Sequence, residues 1–143
     1  MISMINKFIT ITILLLLLGF VSCAQVVIDS SSPQLDYFST IPDEIDGETC
    51  CFFLSEEDYI NNRYLFVNDF ALYGYIVIDG EHQIMELVKY DSELEKYYYQ
   101  NKEKHIEIQI IKDKNDGQFI RARLTVSTPR GQVSTIVLGK CDC

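Results

Sequence analysis

Histidine is scarce in this sequence and tryptophan is absent. His82 and His105 are the two histidines among 143 residues, and neither a Gly-x-Ser-x-Gly nucleophile motif nor a glycine-rich phosphate loop occurs. Acid–base and nucleophilic catalysis depend on such groups, and both histidines stand where turns are predicted, as solvated strand-end residues would. We therefore predict no catalytic residue, no cofactor and no enzymatic activity.

Positive charge is also scarce, above all in the first half of the chain. Twelve Lys and Arg oppose 21 Asp and Glu, for a net charge of −9, and no Lys or Arg occurs between residues 8 and 62. Nucleic-acid binding requires a basic stripe, so the composition argues against a nucleic-acid partner. The acidic, Ser- and Pro-containing stretch 23–47 is typical of a solvated flexible tether.

A long apolar run occurs once, at the N-terminus. Residues 8–18 are apolar except for Thr10 and Thr12, and they follow Lys7. A helix that spans a bilayer needs about 20 apolar residues, so this shorter run is typical of a signal peptide, which we assign to residues 1–22. The sequence thus predicts an exported protein without a second membrane-embedded segment.

The residues after this run bear on the mode of export. Val21, Ser22 and Cys23 resemble the lipobox of bacterial lipoproteins, in which cleavage precedes a lipid-carrying Cys, although Phe20 stands where that family has an aliphatic residue. The resemblance implies a lipid on Cys23 and anchoring to a membrane of the cell envelope. The alternative is cleavage after Ala24, which would give a soluble periplasmic or secreted protein. The resemblance covers the first 25 residues and assigns no family to the rest.

Four cysteines remain beyond Cys23, namely Cys50, Cys51, Cys141 and Cys143. An even count in an exported domain favours disulfides, and adjacent residues reach disulfide geometry only under strain. We therefore expect bonds between the early and the late pair. The alternative is a thiolate metal site, because four soft ligands brought together would suit Zn²⁺ or Cu(I).

The remaining sequence, residues 48–143, has the pattern of an all-β domain. Ile106, Ile108 and Ile110 alternate with polar residues, as do Ile120, Ala122, Leu124 and Val126, and this period of two is that of a strand. Asp79-Gly80 between two apolar runs predicts a hairpin, and Ser55 predicts a short helix start. About seven or eight antiparallel strands are expected, as a small barrel or a sandwich.

Tyrosine is abundant, and three of the nine are consecutive, Tyr97, Tyr98 and Tyr99. Amphipathic rings of this kind can form a ligand surface, although strands are also enriched in Tyr for packing alone. We predict a non-enzymatic binding module for a protein or a cell-wall component, with these tyrosines as a possible contact. Its expected architecture loosely resembles the small β-barrel lipoproteins that inhibit lysozyme, but their Ser-Gly-x-x-x-Tyr loop is missing, so inhibition is not implied.

Overall fold

The computed structural model describes residues 32–141, without the side chains of residues 114–116. This part of the chain is built almost wholly of strands, and none of its helices is long and apolar enough to cross a membrane. The elements are β1 Leu35–Asp36, β2 Cys50–Phe53, α1 Glu56–Ile60, β3 Phe66–Asn68, β4 Tyr73–Ile78, β5 Glu81–Asp91, β6 Lys96–Asn101, β7 Ile106–Asp116, β8 Phe119–Thr128 and β9 Gly131–Cys141.

Strands β2 to β9 close into one antiparallel barrel of eight strands. Its order is β4-β3-β2-β9-β8-β7-β6-β5, and the β4–β5 hairpin joins the two ends of this list. β1 is an additional strand that pairs with the end of β4. The structure confirms the all-β prediction and decides for a barrel against a sandwich.

Local sequence explains the tightest turn. Asp79 and Gly80 both have positive φ, 53° and 77°, as a two-residue turn of the I′ type requires. Glycine accepts this conformation without a steric penalty and Asp tolerates it. The hairpin that was predicted at this dipeptide is confirmed, and so is the short helix, because the Ser55 side chain caps α1 by accepting from the Asp58 N–H.

The barrel interior is filled by alternate residues of its strands. Ile106, Ile108 and Ile110 of β7 are buried there, as predicted, and so are Ala122, Leu124 and Val126 of β8, whereas Ile120 is only partly buried. A closed barrel of eight strands is just wide enough for side chains to fill it. The filled interior therefore separates the two openings of the barrel.

A second apolar core lies outside the barrel wall and corrects the predicted tether. Phe38 is hydrogen-bonded through its backbone to Tyr64, and both Phe38 and Ile45 are buried. They cover outward-facing apolar side chains of β2, β3 and β4 that would otherwise meet water. Within the stretch 23–47, residues 33–45 are thus part of the fold; residues 1–31, with the predicted signal peptide and Cys23, lie outside the described residues. The outer core contains Phe38, Ile45, Cys51, Phe53, Tyr64, Val67, Tyr75, Val77 and Phe119.

Candidate functional site

A disulfide joins the first and the last strand of the barrel. Cys50 of β2 and Cys141 of β9 are directly opposed in the register, and their sulfurs are bonded across a separation of 91 residues. This confirms one of the predicted bonds between the early and the late pair. Cys51 is also a disulfide cysteine, and Cys143, the other cysteine of the late pair, lies outside the described residues.

The disulfide bears on the alternative of a thiolate metal site. A thiolate ligand needs a free, deprotonated sulfur, and the sulfurs of Cys50 and Cys141 are bonded to each other. Cys50 also faces the barrel interior, whereas Cys51 belongs to the outer core. Within residues 32–141, no group of three or more His, Cys, Asp and Glu side chains is placed to hold a metal ion.

The three consecutive tyrosines do not form one surface. Tyr97 and Tyr99 point into the barrel and are 9% and 1% exposed, while Tyr98 lies on the outer wall between Lys89 and Lys96. Successive residues of a strand face opposite sides of the sheet, so the predicted shared surface is wrong. Tyr99 is a core residue, and Tyr97 lies at an opening of the barrel.

Tyr99 belongs to a buried polar pair. Its hydroxyl accepts a hydrogen bond of 2.8 Å from the Asn68 side-chain amide, and both residues are buried. The amide oxygen of Asn68 has no partner among the described residues. Burial raises the pKa of Tyr99 well above its ordinary value, although the hydrogen bond from Asn68 partly opposes this shift. The phenol therefore keeps its proton to higher pH in the folded protein than in the unfolded chain.

This raised pKa predicts a loss of stability in alkali. The phenol titrates near pH 10.0 in the unfolded chain and higher in the folded one, so above pH 10 the unfolded state binds fewer protons and the free energy of unfolding falls as pH rises. Urea titrations between about pH 8 and 12 should show a shallower fall for Tyr99→Phe. Tyr98→Phe, on the outer wall, should keep the wild-type slope. Equal slopes for wild type and Tyr99→Phe would contradict the assignment.

The barrel opening that contains Tyr97 is lined by aromatic rings. The Tyr97 ring centroid lies 4.5 Å from that of Tyr90, its cross-strand partner, and 5.0 Å from that of Phe70. The Lys112 ammonium lies 5.1 Å from the Phe70 centroid and 5.6 Å from the Tyr97 centroid, within cation–π range. Burial raises the pKa of Tyr97 to about 12, with Tyr90 contributing, so this ring carries no charge at neutral pH.

The loop between β3 and β4 brings Phe70 to this opening. Phe70 lies before β4, which begins at Tyr73. The Asp69 carboxylate accepts from the backbone N–H groups of residues 71, 72 and 73, each at 2.9 Å, and such local bonds compete with strand pairing. Leu72, which lies in this loop, is 61% exposed.

Large exposed apolar side chains lie on the elements that form this opening. Leu72 of the β3–β4 loop, Tyr90 of β5 and Leu94 of the turn after β5 are 61%, 46% and 57% exposed. The loop is joined to β5, because the Leu72 carbonyl accepts from the Leu87 N–H. We call this surface the aromatic end and define it by Phe70, Leu72, Tyr90, Leu94, Tyr97 and Lys112.

Charges of both signs border the aromatic end. The hairpin of β5 and β6 carries Lys89 and Lys96 as well as three carboxylates, and Asp91 is paired with Lys96 in the register. Asp91 also orders the turn, because its carboxylate accepts from the N–H groups of Glu93 and Leu94. With Lys112 and with Asp69 of the β3–β4 loop, the border holds three cations and four carboxylates. Both signs of charge are therefore present around the aromatic end.

The two histidines lie elsewhere. Nδ1 of His82 is hydrogen-bonded to the Tyr75 hydroxyl on the outer wall, and His105 is an exposed turn residue with φ of 54°. Burial raises the pKa of Tyr75, with Glu44 contributing. A phenol with a raised pKa is a poor nucleophile at neutral pH, so this pair does not have the features of an activated nucleophile.

Sequence reasoning missed Phe70 and Lys112 as members of the site. The pairing of Tyr90 with Tyr97 follows from the β5–β6 hairpin and was within reach of a register argument. The position of Phe70 depends on a loop between two other strands, and no sequence pattern marks it.

Comparisons with known proteins give no relative from which a function could be carried over. No family model, curated protein or solved structure matches this chain.

Proposed function

We propose that this chain is the precursor of an exported lipoprotein, held at a membrane of the cell envelope by a lipid on Cys23. Its barrel acts as a non-enzymatic binding module, and the aromatic end is the surface that contacts a protein partner. The observation that carries this proposal is the packing of the Phe70, Tyr90 and Tyr97 rings at one barrel opening, with centroids 5.0 and 4.5 Å apart, next to a loop and a turn that expose Leu72 and Leu94. Exposed apolar groups gathered within a polar rim are typical of protein-binding surfaces.

The charges around the aromatic end favour a protein over a lipid surface. Lysines alone would attract an anionic bilayer, but Asp91, Glu93 and Glu95 lie among them and would be repelled by it. A protein surface can supply an apolar centre with both charge signs at its rim. Tyr90 is the best anchor, because tyrosine carries much of the binding energy in such interfaces.

The disulfide supports the binding module against the metal-binding alternative. A protein that bound metal through Cys50 and Cys141 would need both sulfurs as thiolates, whereas here they join β2 to β9. A bond between the first and last barrel strands stabilises a rigid scaffold. Rigid scaffolds present their contact residues in a fixed geometry, which lowers the cost of binding.

One experiment on the full-length chain tests the anchor and the surface together. The chain is produced in a bacterium that processes lipoproteins, with a photoreactive amino acid in place of Leu94 or, as a matched control, in place of Ile60, an exposed apolar residue of α1. We expect the intact mass to show acyl groups on a chain that begins at Cys23. We also expect illumination to give one defined protein adduct from position 94 and none from position 60.

A second variant connects the adduct to the proposed surface. Tyr90→Ala should lower the adduct yield from position 94, because truncation of an interface tyrosine costs more than about 1 kcal/mol. Equal adducts from positions 94 and 60, or a yield insensitive to Tyr90→Ala, would reject the aromatic end. An adduct of twice the chain mass would show that the partner is a second copy. A lipid-free chain beginning at Gln25 would reject the anchor.

A further inference from the structure

The opposite opening of the barrel differs in chemistry from the aromatic end. The turns of the β4–β5, β6–β7 and β8–β9 hairpins surround a cavity of about 330 Å³. Its lining includes two cations, two carboxylates and one buried amide, contributed by Asp79, Glu81, Gln83, Lys104 and Arg130. We call this opening the polar mouth.

One ion pair holds the rim of the polar mouth together. Arg130 of the β8–β9 turn pairs with Asp79 of the β4–β5 turn, and Asp79 also accepts from the Gln34 N–H at 3.1 Å. Burial alone would raise the pKa of Asp79, but the Gln34 hydrogen bond and Arg130 lower it overall. This pair therefore links two turns and is already satisfied within the protein.

A second ion pair across the rim is loose. Lys104 Nζ lies 3.7 Å from Glu81 Oε2, and the two side chains are 56% and 68% exposed. That distance exceeds a good hydrogen bond, and exposed pairs of this kind contribute little to stability. A ligand can separate Lys104 from Glu81 at low cost.

The floor of the polar mouth combines amides with apolar side chains. Gln83 is 5% exposed; its amide donates to Glu81 at 3.4 Å and accepts from the Asn101 amide at 3.3 Å. Both contacts are longer than the usual range of about 2.7 to 3.2 Å, so the Gln83 amide retains capacity for a shorter bond. Ile106 lines the cavity beside it. A small polar ligand with a short apolar group would satisfy both features.

We propose that the polar mouth binds a small zwitterion, a free amino acid or dipeptide. Its carboxylate pairs with Lys104, its ammonium group pairs with Glu81, and its peptide or side-chain groups meet the Gln83 amide and Ile106. A ligand with a single charge would pair with either Lys104 or Glu81 and leave the other side chain without a partner. A zwitterion pairs with both. The cavity has the size of the smaller ligand pockets in proteins, which begin near about 300 Å³.

The test uses the purified, oxidised mature chain with alanyl-alanine as the probe. Titration is followed by calorimetry and by amide chemical shifts, with N-acetyl-alanyl-alanine and alanyl-alanine amide as probes that each lack one charge. We expect alanyl-alanine to bind and to shift amides of the three turns. Each blocked form should bind about two- to fivefold more weakly, because it loses one ion pair with an exposed side chain.

Variants that remove one charge at the rim of the polar mouth, or one charge just beside it, locate the site. Lys104→Met and Glu81→Gln should weaken alanyl-alanine binding, while Lys102→Met and Glu103→Gln, exposed neighbours of Lys104, should leave it unchanged. All four substitutions are at exposed positions, and thermal melting is the control that each variant folds. Absence of binding, equal binding of the blocked forms, or equal effects of Lys104→Met and Lys102→Met would overturn the proposal. None of these results affects the adduct expected at Leu94, which lies at the other opening.

Discussion

Replacing all four cysteines, Cys50, Cys51, Cys141 and Cys143, by serine is expected to lower the free energy of unfolding by about 4 kcal/mol. The bond between Cys50 and Cys141 closes a loop with a sequence separation of 91 residues, and the loss of such a cross-link lets the unfolded chain explore many more conformations. All four residues are replaced together, because Cys51 is also disulfide-bonded and a second bond to the late pair would keep nearly the same loop closed. Urea denaturation of the variant and of the oxidised wild type measures the difference as a shift of the midpoint at constant slope.

Alanine at the same four positions is the control for buried polarity. Cys50 is 1% exposed, so a serine hydroxyl there carries its own desolvation cost. If loop entropy dominates, the alanine variant should lose nearly as much stability as the serine variant. An unchanged midpoint in both variants would show that the cross-link does not stabilise the barrel.

Gly139→Ala is the second change with a large expected effect. Gly139 of β9 lies opposite Phe52 of β2, and an added β carbon would lie 2.6 Å and 2.9 Å from two atoms of that ring. The ring is buried in the barrel interior and cannot turn away without displacing its neighbours. Overpacking of this kind typically costs about 1 to 3 kcal/mol, which denaturant unfolding would detect.

A double-mutant cycle identifies the cause. Phe52→Leu creates space in the core and destabilises by itself, but it should reduce the additional cost of Gly139→Ala. The interaction free energy between the two positions measures that relief. If Gly139→Ala costs the same in both backgrounds, the Phe52 ring is not the obstacle and the glycine serves another purpose.

The features that were predicted correctly depend on neighbours in sequence. Asp79-Gly80 determines its own turn geometry, and the alternation of Ile106, Ile108 and Ile110 is a property of one strand. A bond from the pair Cys50 and Cys51 to the pair Cys141 and Cys143 was predictable because strain disfavours bonds between adjacent cysteines, although the sequence left open which cysteine bonds to which. Each of these arguments needed only local geometry.

The features that were missed depend on contacts between distant segments. The outer core forms because Phe38 and Ile45 pack on apolar residues on the outer side of the β2–β4 wall. An acidic stretch with few apolar residues does not predict this contact. The period of two separates Tyr98 from Tyr97 and Tyr99 but leaves open which face is inside. Closure of the sheet likewise depends on pairing of β2 with β9, so the choice between barrel and sandwich had no local signal.

The N-terminal segment has a consequence for orientation. It enters the fold beside the polar mouth, where the Gln34 N–H meets Asp79 and Pro33 lies near Gly131. Pro33 is ten positions after Cys23, so an acylated Cys23 would hold this pole within about 35 Å of the bilayer, the full reach of such a chain. The aromatic end lies at the opposite pole, so an anchor of this kind would leave it uncovered and able to meet whatever approaches across the surrounding space.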